Sequence, residues 1–166
     1  MTIRRTLSWT IPGTPREILR RLADPAVAAA RAASDPTLQA EVTELSGGEG
    51  ELHMAVVAEL PDSWAPAPVR SRLLATPRII RRETWLIADD GAAYADMNIE
   101  FEGVPATTMT TVARLAPMAD HVNSSELTYL LSLTVDLPII GGLVERTVME
   151  QITRGYEREA DVIARS

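Results

Sequence analysis

Ile3, Leu7, Trp9 and Ile11 alternate with Arg4, Thr6, Ser8 and Thr10. That two-residue period predicts a half-buried strand over residues 3–11. Pro12-Gly13 closes it. The pattern then changes to a helical one. Thr14-Pro15-Arg16-Glu17 reads as an N-cap threonine, a proline at the first helical position and a glutamate completing a capping box. Ile18, Leu19 and Leu22 supply the apolar stripe. Asp24-Pro25 restarts the chain into a second short helix, residues 26–33, which Asp35-Pro36 stops.

Alternation returns afterwards and dominates the next hundred residues. Leu38, Ala40 and Val42 form one arm of a hairpin, Gly47-Gly48-Glu49-Gly50 turns it, and Leu52, Met54, Val56, Ala58 and Leu60 form the other arm. Residues 61–68 hold three prolines and Trp64, which suits a loop or short helical excursion and not a strand. Strands are expected over 78–87 and 94–102, joined by Asp89-Asp90-Gly91. Gly103-Val104-Pro105 bends the chain, and further strands run over 107–115 and 122–137. In the last of these, Leu127, Tyr129, Leu131, Leu133, Val135 and Leu137 share a face. Pro138 to Gly142 is a joint. Beyond it Val144, Val148, Ile152, Tyr156, Ala160 and Ile163 mark one stripe of a long amphipathic helix.

The predicted order is one strand, two short helices, six strands and a long C-terminal helix. Seven antiparallel strands with one solvated face must cover the other face with something apolar. Only the final helix is long enough. The expected fold class is therefore α+β, a curved seven-stranded antiparallel sheet wrapped around that helix, with the two short helices closing one end. The 166 residues suit a single domain over residues 1–166.

Composition narrows the chemistry. Cysteine is absent, which excludes a disulfide framework, thiolate metal ligands and a thiol nucleophile. Histidine occurs twice, at His53 and His121, in no metal-binding spacing. All 16 basic residues are arginine, so Schiff-base lysine chemistry is excluded too. The net charge of −7 argues against nucleic acid as a partner. No targeting segment is visible, and the most apolar stretch, residues 127–144, is broken by Asp136, Pro138 and Gly141-Gly142. A cytoplasmic location without an integral membrane segment is expected. No metal or other cofactor is implied, and the oligomeric state is left open.

The chain resembles the START-like, or SRPBCC, helix-grip superfamily, whose members share this order of elements. Within it the chain resembles the bacterial family known as domain of unknown function 2505. Arg82-Glu83-Thr84-Trp85 ahead of a hairpin carries that closer resemblance, as does Leu137-Pro138-Ile139-Ile140-Gly141-Gly142 leading into Glu145. The superfamily resemblance implies a cavity between sheet and long helix that often holds an apolar ligand such as a lipid, sterol or polyketide. Some superfamily members are cyclases or dehydratases, and some bind proteins. The closer family transfers no catalytic residue.

Candidate site residues follow from the inward faces. Trp9, Met54, Trp85, Met97, Phe101, Met109 and Tyr129 fall on inward strand positions, and Val148, Ile152 and Tyr156 on the helix stripe. Ordinary core is the plainer reading of each. Methionine suits an adaptable apolar site, however, and small inward residues such as Ala58, Ala95, Ala113 and Gly155 leave room. Arg81 and Glu83 share a face with Trp85, so an inward Trp85 brings both charges to the cavity, as an Arg–Glu pair or as ligand contacts. Asp96, Glu100 and Glu102 read as a solvated acidic face, and His53 as solvated. Arg70, Arg72, Arg78, Arg81 and Arg82 form either a neutralised surface or a local site for an anionic head group. Gly141-Gly142 reads as a tight corner, with an anion site at the helix start as the alternative.

The expected function is binding of a hydrophobic or amphipathic small molecule, lipid- or polyketide-like, between sheet and C-terminal helix. Residues 61–68 and 103–105 are the expected gates. One alternative is a cyclase or dehydratase acting on such a ligand, which needs a buried acid or tyrosine of shifted pKa facing the cavity. The other is a protein-interaction module with a filled core, for which Trp64 is the first candidate surface anchor.

Overall fold

A computed structural model describes residues 1–71 and 76–166. Its elements follow the expected order: β1 (Thr2–Pro12), α1 (Pro15–Leu22), α2 (Pro25–Ala32), β2 (Gln39–Gly48), β3 (Glu51–Glu59), a single 3-10 turn (Asp62–Trp64), α3 (Ala67–Arg70), β4 (Arg78–Ile87), β5 (Ala93–Glu102), β6 (Thr107–Pro117), β7 (Ser124–Val135) and α4 (Gly141–Arg165). The seven strands form one antiparallel sheet in the order β1-β7-β6-β5-β4-β3-β2. Only β1 joins out of sequence, beside β7. This is the helix-grip fold.

Local chemistry explains the helix starts. Thr14 accepts from the Glu17 N–H while the Glu17 carboxylate accepts from the Thr14 N–H, so the capping box is complete. Asp24 caps α2 through the N–H groups of Ala26 and Val27. The last strand is shorter than its apolar run suggests. Pairing begins at Ser124 opposite Pro12, with Ser125 opposite Pro117. Val122, expected inside the strand, instead stands fully exposed in the preceding turn, where Asn123 takes a left-handed backbone conformation.

The β7–α4 joint is steric. A Cβ on Gly141 would lie 2.6 Å from the Val135 carbonyl oxygen, so only glycine lets the helix start this close to the strand. Glu145, fully buried one turn on, accepts a hydrogen bond from the Val135 N–H at 3.0 Å. No side chain caps the start of α4. The glycine pair is thus a corner, and Glu145 is what ties the new helix to the strand it leaves.

At about 1.5 Å per residue, the 25 residues of α4 span the concave face of the sheet. The helix packs chiefly on β1 and β7, while α2 covers β2 and leans on α4. The middle strands are therefore the least covered. The main core gathers Ile11, Ile18, Leu22, Trp85, Leu115, Leu127, Leu133, Met149 and Ile163, with many others. A smaller cluster of Ala28, Ala32, Met54 and Val56 lies beneath α2. No described helix is long and apolar enough to cross a membrane.

Candidate functional site

Between α2, α4 and the concave side of β2 to β6, a cavity of about 100 Å³ opens to solvent. One water needs only about 10–15 Å³, so the space exceeds a single solvent site. Its walls are mainly apolar: Leu38, Val56, Ala58, Ile79, Ile99, Phe101 and Met109 from the sheet side, Ile152 and Tyr156 from α4, and Trp64 from the proline-rich segment. Gly155 faces it from the helix, and nothing lies within 4 Å of where its Cβ would stand. A second cavity of about 30 Å³ lies on the other side of Trp64, against Leu60, Val69, Phe101, Val104, Val144 and Val148.

One end of the larger of these two cavities is charged. Arg31 of α2, 1% exposed, holds Glu83 of β4, 2% exposed, through two nitrogens at 2.7 and 3.2 Å. The same guanidinium reaches Glu159 of α4 at 3.2 Å and the Met54 sulfur at 3.3 Å. Arg81 donates to the other Glu159 oxygen at 2.6 Å and lies 3.9 Å from Glu83. Two arginines and two glutamates therefore interlock α2, β4 and α4, and their charges cancel. Burying one such charge alone would be prohibitive, but complete pairing makes the cluster tenable. Burial by itself would raise the Glu83 pKa. The guanidinium charges of Arg31 and Arg81 outweigh it and hold the carboxyl below its ordinary value. A general acid requires the opposite shift, so Glu83 is a fixed anion here. Beside the cluster, Arg158 pairs with the buried Asp35 at 2.9 Å.

Tyr156 links this end to the core. Its ring lies 4.4 Å from that of Tyr129, its hydroxyl donates to the Met97 sulfur at 3.7 Å, and the Arg81 guanidinium sits 5.9 Å from its ring centre. Burial drives the hydroxyl pKa of both tyrosines upward.

The structure separates the predicted site residues into two groups. Arg81, Phe101, Met109, Ile152 and Tyr156 line the larger cavity, and Val148 the smaller one. Trp9, Met54, Glu83, Trp85, Met97 and Tyr129 lie outside both walls. Trp85 and Tyr129 are fully buried. The register explains this: Trp85 pairs with Ala95, Ala95 with Ala113, and Ala113 with Tyr129. Ala95 and Ala113 lie buried in the two rows between the large rings, and neither lines a wall of the two cavities. Trp9 packs edge-on against Tyr129. Met97 takes the Tyr156 hydroxyl contact, and Met54 and Glu83 belong to the charge cluster.

The other candidate residues take separate places in the fold. Trp64 is 5% exposed and belongs to the cavity wall, so it anchors no surface patch. The proline-rich segment tucks it inward through the 3-10 turn. Among the described residues three of the arginines are neutralised: Arg78 pairs with Glu102 and Arg82 with Glu100 on the outer face, and Arg81 is in the buried cluster, while Arg70 is exposed at the end of α3. Arg72 lies outside the described residues. His53 is exposed beside Thr84, and Asp96, Glu100 and Glu102 are exposed. Among the described residues no cluster of His, Asp or Glu could hold a metal ion.

Sequence reasoning missed Arg31 and Glu159. Glu159 had a visible signal: it follows Ile152 by seven residues and Tyr156 by three, which places a carboxylate on the apolar stripe. Arg31 stands in an alanine-rich helix, where nothing local distinguishes a buried guanidinium from a solvated one.

Residues 6–165 match the family model described as "Protein of unknown function (DUF2505)". The chain belongs to the DUF2505 family. Among curated proteins none matches the sequence. Similar solved structures share the fold at low identity. TTHA0849 from Thermus thermophilus is 14% identical, with a TM-score of 0.57 over 98% of this chain and 95% of its own. The Zhui aromatase/cyclase from Streptomyces sp. R1128 is 8% identical, with 0.56 over 99% and 92%. Truncated norcoclaurine synthase from Thalictrum flavum is 14% identical, with 0.53 over 99% and 92%. At these identities the likeness describes the architecture, and the DUF2505 chain's own side chains must supply the chemistry.

Proposed function

We propose that this DUF2505 chain binds a small, largely apolar molecule in the cavity between the middle strands and α4. The observation that carries the reading is the contrast within that cavity. Apolar walls meet a charged end, Arg31, Arg81 and Glu159, that is neutralised together with Glu83 behind it. Apolar burial supplies affinity at about 25 cal/mol per Å², before the costs of association. The charged end supplies orientation. Trp64, from one of the segments expected to act as gates, lines this cavity, and Val104, from the other, lines the smaller cavity beside it. Two of the fold neighbours are enzymes by name. Tyr156, a buried tyrosine of raised pKa on the cavity wall, meets the requirement of the cyclase or dehydratase alternative and keeps it as the second reading. Binding without chemistry comes first because Glu83 is held below its ordinary pKa and the Tyr156 hydroxyl is directed at the Met97 sulfur.

The test is native mass spectrometry of gently purified protein, followed by denaturing extraction of the same sample. A stoichiometric apolar adduct supports the reading and reveals the ligand's class. A clean apo mass, with no thermal shift across a panel of apolar compounds, moves the assignment to an interaction module.

A further inference from the structure

Two features of the cavity define what it accepts, given that it is a ligand site as proposed above. The first is its charge balance. Each oxygen of Glu83 and Glu159 already receives a guanidinium, and Asp35 is matched by Arg158. An added carboxylate would enter a low-dielectric space with no cation left to neutralise it, and an added ammonium would meet Arg81. Donors nevertheless outnumber acceptors. Arg81 carries five N–H groups, and among the described residues its one hydrogen bond is to Glu159. Its side chain is 13% exposed on the cavity wall.

The second feature is Gly155. It sits mid-helix in α4 with ordinary helical backbone, where glycine is among the least favourable residues. The usual structural reasons for glycine are missing. Its φ is not positive, and no neighbour approaches within 4 Å of a Cβ position. Alanine would fit and would favour the helix. What a side chain there would remove is cavity volume.

We propose that the cavity selects an electrically neutral molecule bearing a hydrogen-bond-accepting oxygen, which sits against Arg81, and that Gly155 is the specificity-determining position over which its apolar body lies.

The experiment is an amide NMR titration of the full chain with three probes of one shape: 2-acetylnaphthalene, 2-naphthoate and 2-ethylnaphthalene. The ketone should bind about tenfold tighter than the hydrocarbon, the size of one well-placed hydrogen bond, and tighter than the carboxylate by at least as much. Shifts should centre on Gly155 and Arg81. Gly155→Leu should weaken the ketone at least tenfold without lowering the melting temperature, and Gly155→Ala should weaken it less, which separates cavity filling from misfolding. Naphthoate binding as tightly as the ketone overturns the neutral class while leaving the cavity reading intact. Equal binding of ketone and hydrocarbon overturns the acceptor contact. Wild-type affinity in Gly155→Leu overturns the role of Gly155. If no probe binds the wild-type chain at millimolar concentration, this inference and the proposed function fail together.

Discussion

Gly155→Ala isolates the void beside α4 from every other feature of the fold. The substitution adds one methyl group at a helical position whose Cβ site has no neighbour within 4 Å. Two gains follow and no clash opposes them. Replacing mid-helix glycine with alanine is worth about 1 kcal/mol, part of it through the unfolded state. The half-buried position adds a small apolar contribution. For a chain of this size, about 1 kcal/mol corresponds to a rise of about 2–4 °C in Tm. Urea denaturation should show the same gain with an unchanged m-value, since the exposed area on unfolding hardly changes. A variant of equal or lower stability would refute the reasoning, because it would mean that the Cβ site is occupied or that the local backbone is not an ordinary helix. The same substitution should weaken ligand binding. Stability and affinity moving in opposite directions at one methyl group would identify a residue kept for the cavity.

The remaining predictions concern the charge cluster and the joint. Arg31→Met leaves Glu83 and Glu159 short of a buried partner and should cost about 3–5 kcal/mol, with Arg31→Met/Glu83→Met recovering most of it. A single-variant loss below about 1 kcal/mol in urea denaturation would mean that the cluster is hydrated. Because the folded-state pKa of Glu83 lies below the ordinary 4.5, its contribution is complete above that pH and is lost as pH falls through the lower folded value. Acid unfolding curves should therefore be shallower in Glu83→Gln than in the wild type. Tyr129 and Tyr156 have pKa values raised above 10, so the stability they confer is complete below that pH and is lost as pH climbs past it. Phenolate absorbance from both should appear only together with loss of the near-ultraviolet circular dichroism signal. Gly141→Ala forces a Cβ to 2.6 Å from the Val135 oxygen and should cost about 1–3 kcal/mol, whereas Gly142→Ala, facing only the flexible Met1 side chain at 3.6 Å, should be nearly neutral. Equal thermal shifts in the two would remove the steric account of the corner.

Local order on this chain was written in the sequence. Alternation over residues 3–11 and 127–135, the Thr14–Glu17 capping box, the Asp24 cap and the Asp89-Asp90-Gly91 turn all act across a few residues, so a single strand or turn suffices to express them. They account for the order of elements, and through it for the sheet wrapped around α4. The inward face of β4 was not legible, because charged and apolar residues fall on both of its faces; the burial of Trp85 decides it, and strand periodicity then carries Glu83 and Arg81 inward.

What Glu83 and Arg81 meet there was decided only in three dimensions. Arg31 and Glu159 are 128 residues apart, and they meet because α2 and α4 converge over β4. No local pattern encodes that convergence. Register decided the cavity's extent in a similar way. Ala95, Ala113 and Gly155 are all small inward residues. Ala95 and Ala113 are buried in the rows between Trp85 and Tyr129, whereas nothing reaches the Cβ position of Gly155. Period tells which way a side chain points. Only packing against strands and helices distant in sequence tells whether the space it points into is full.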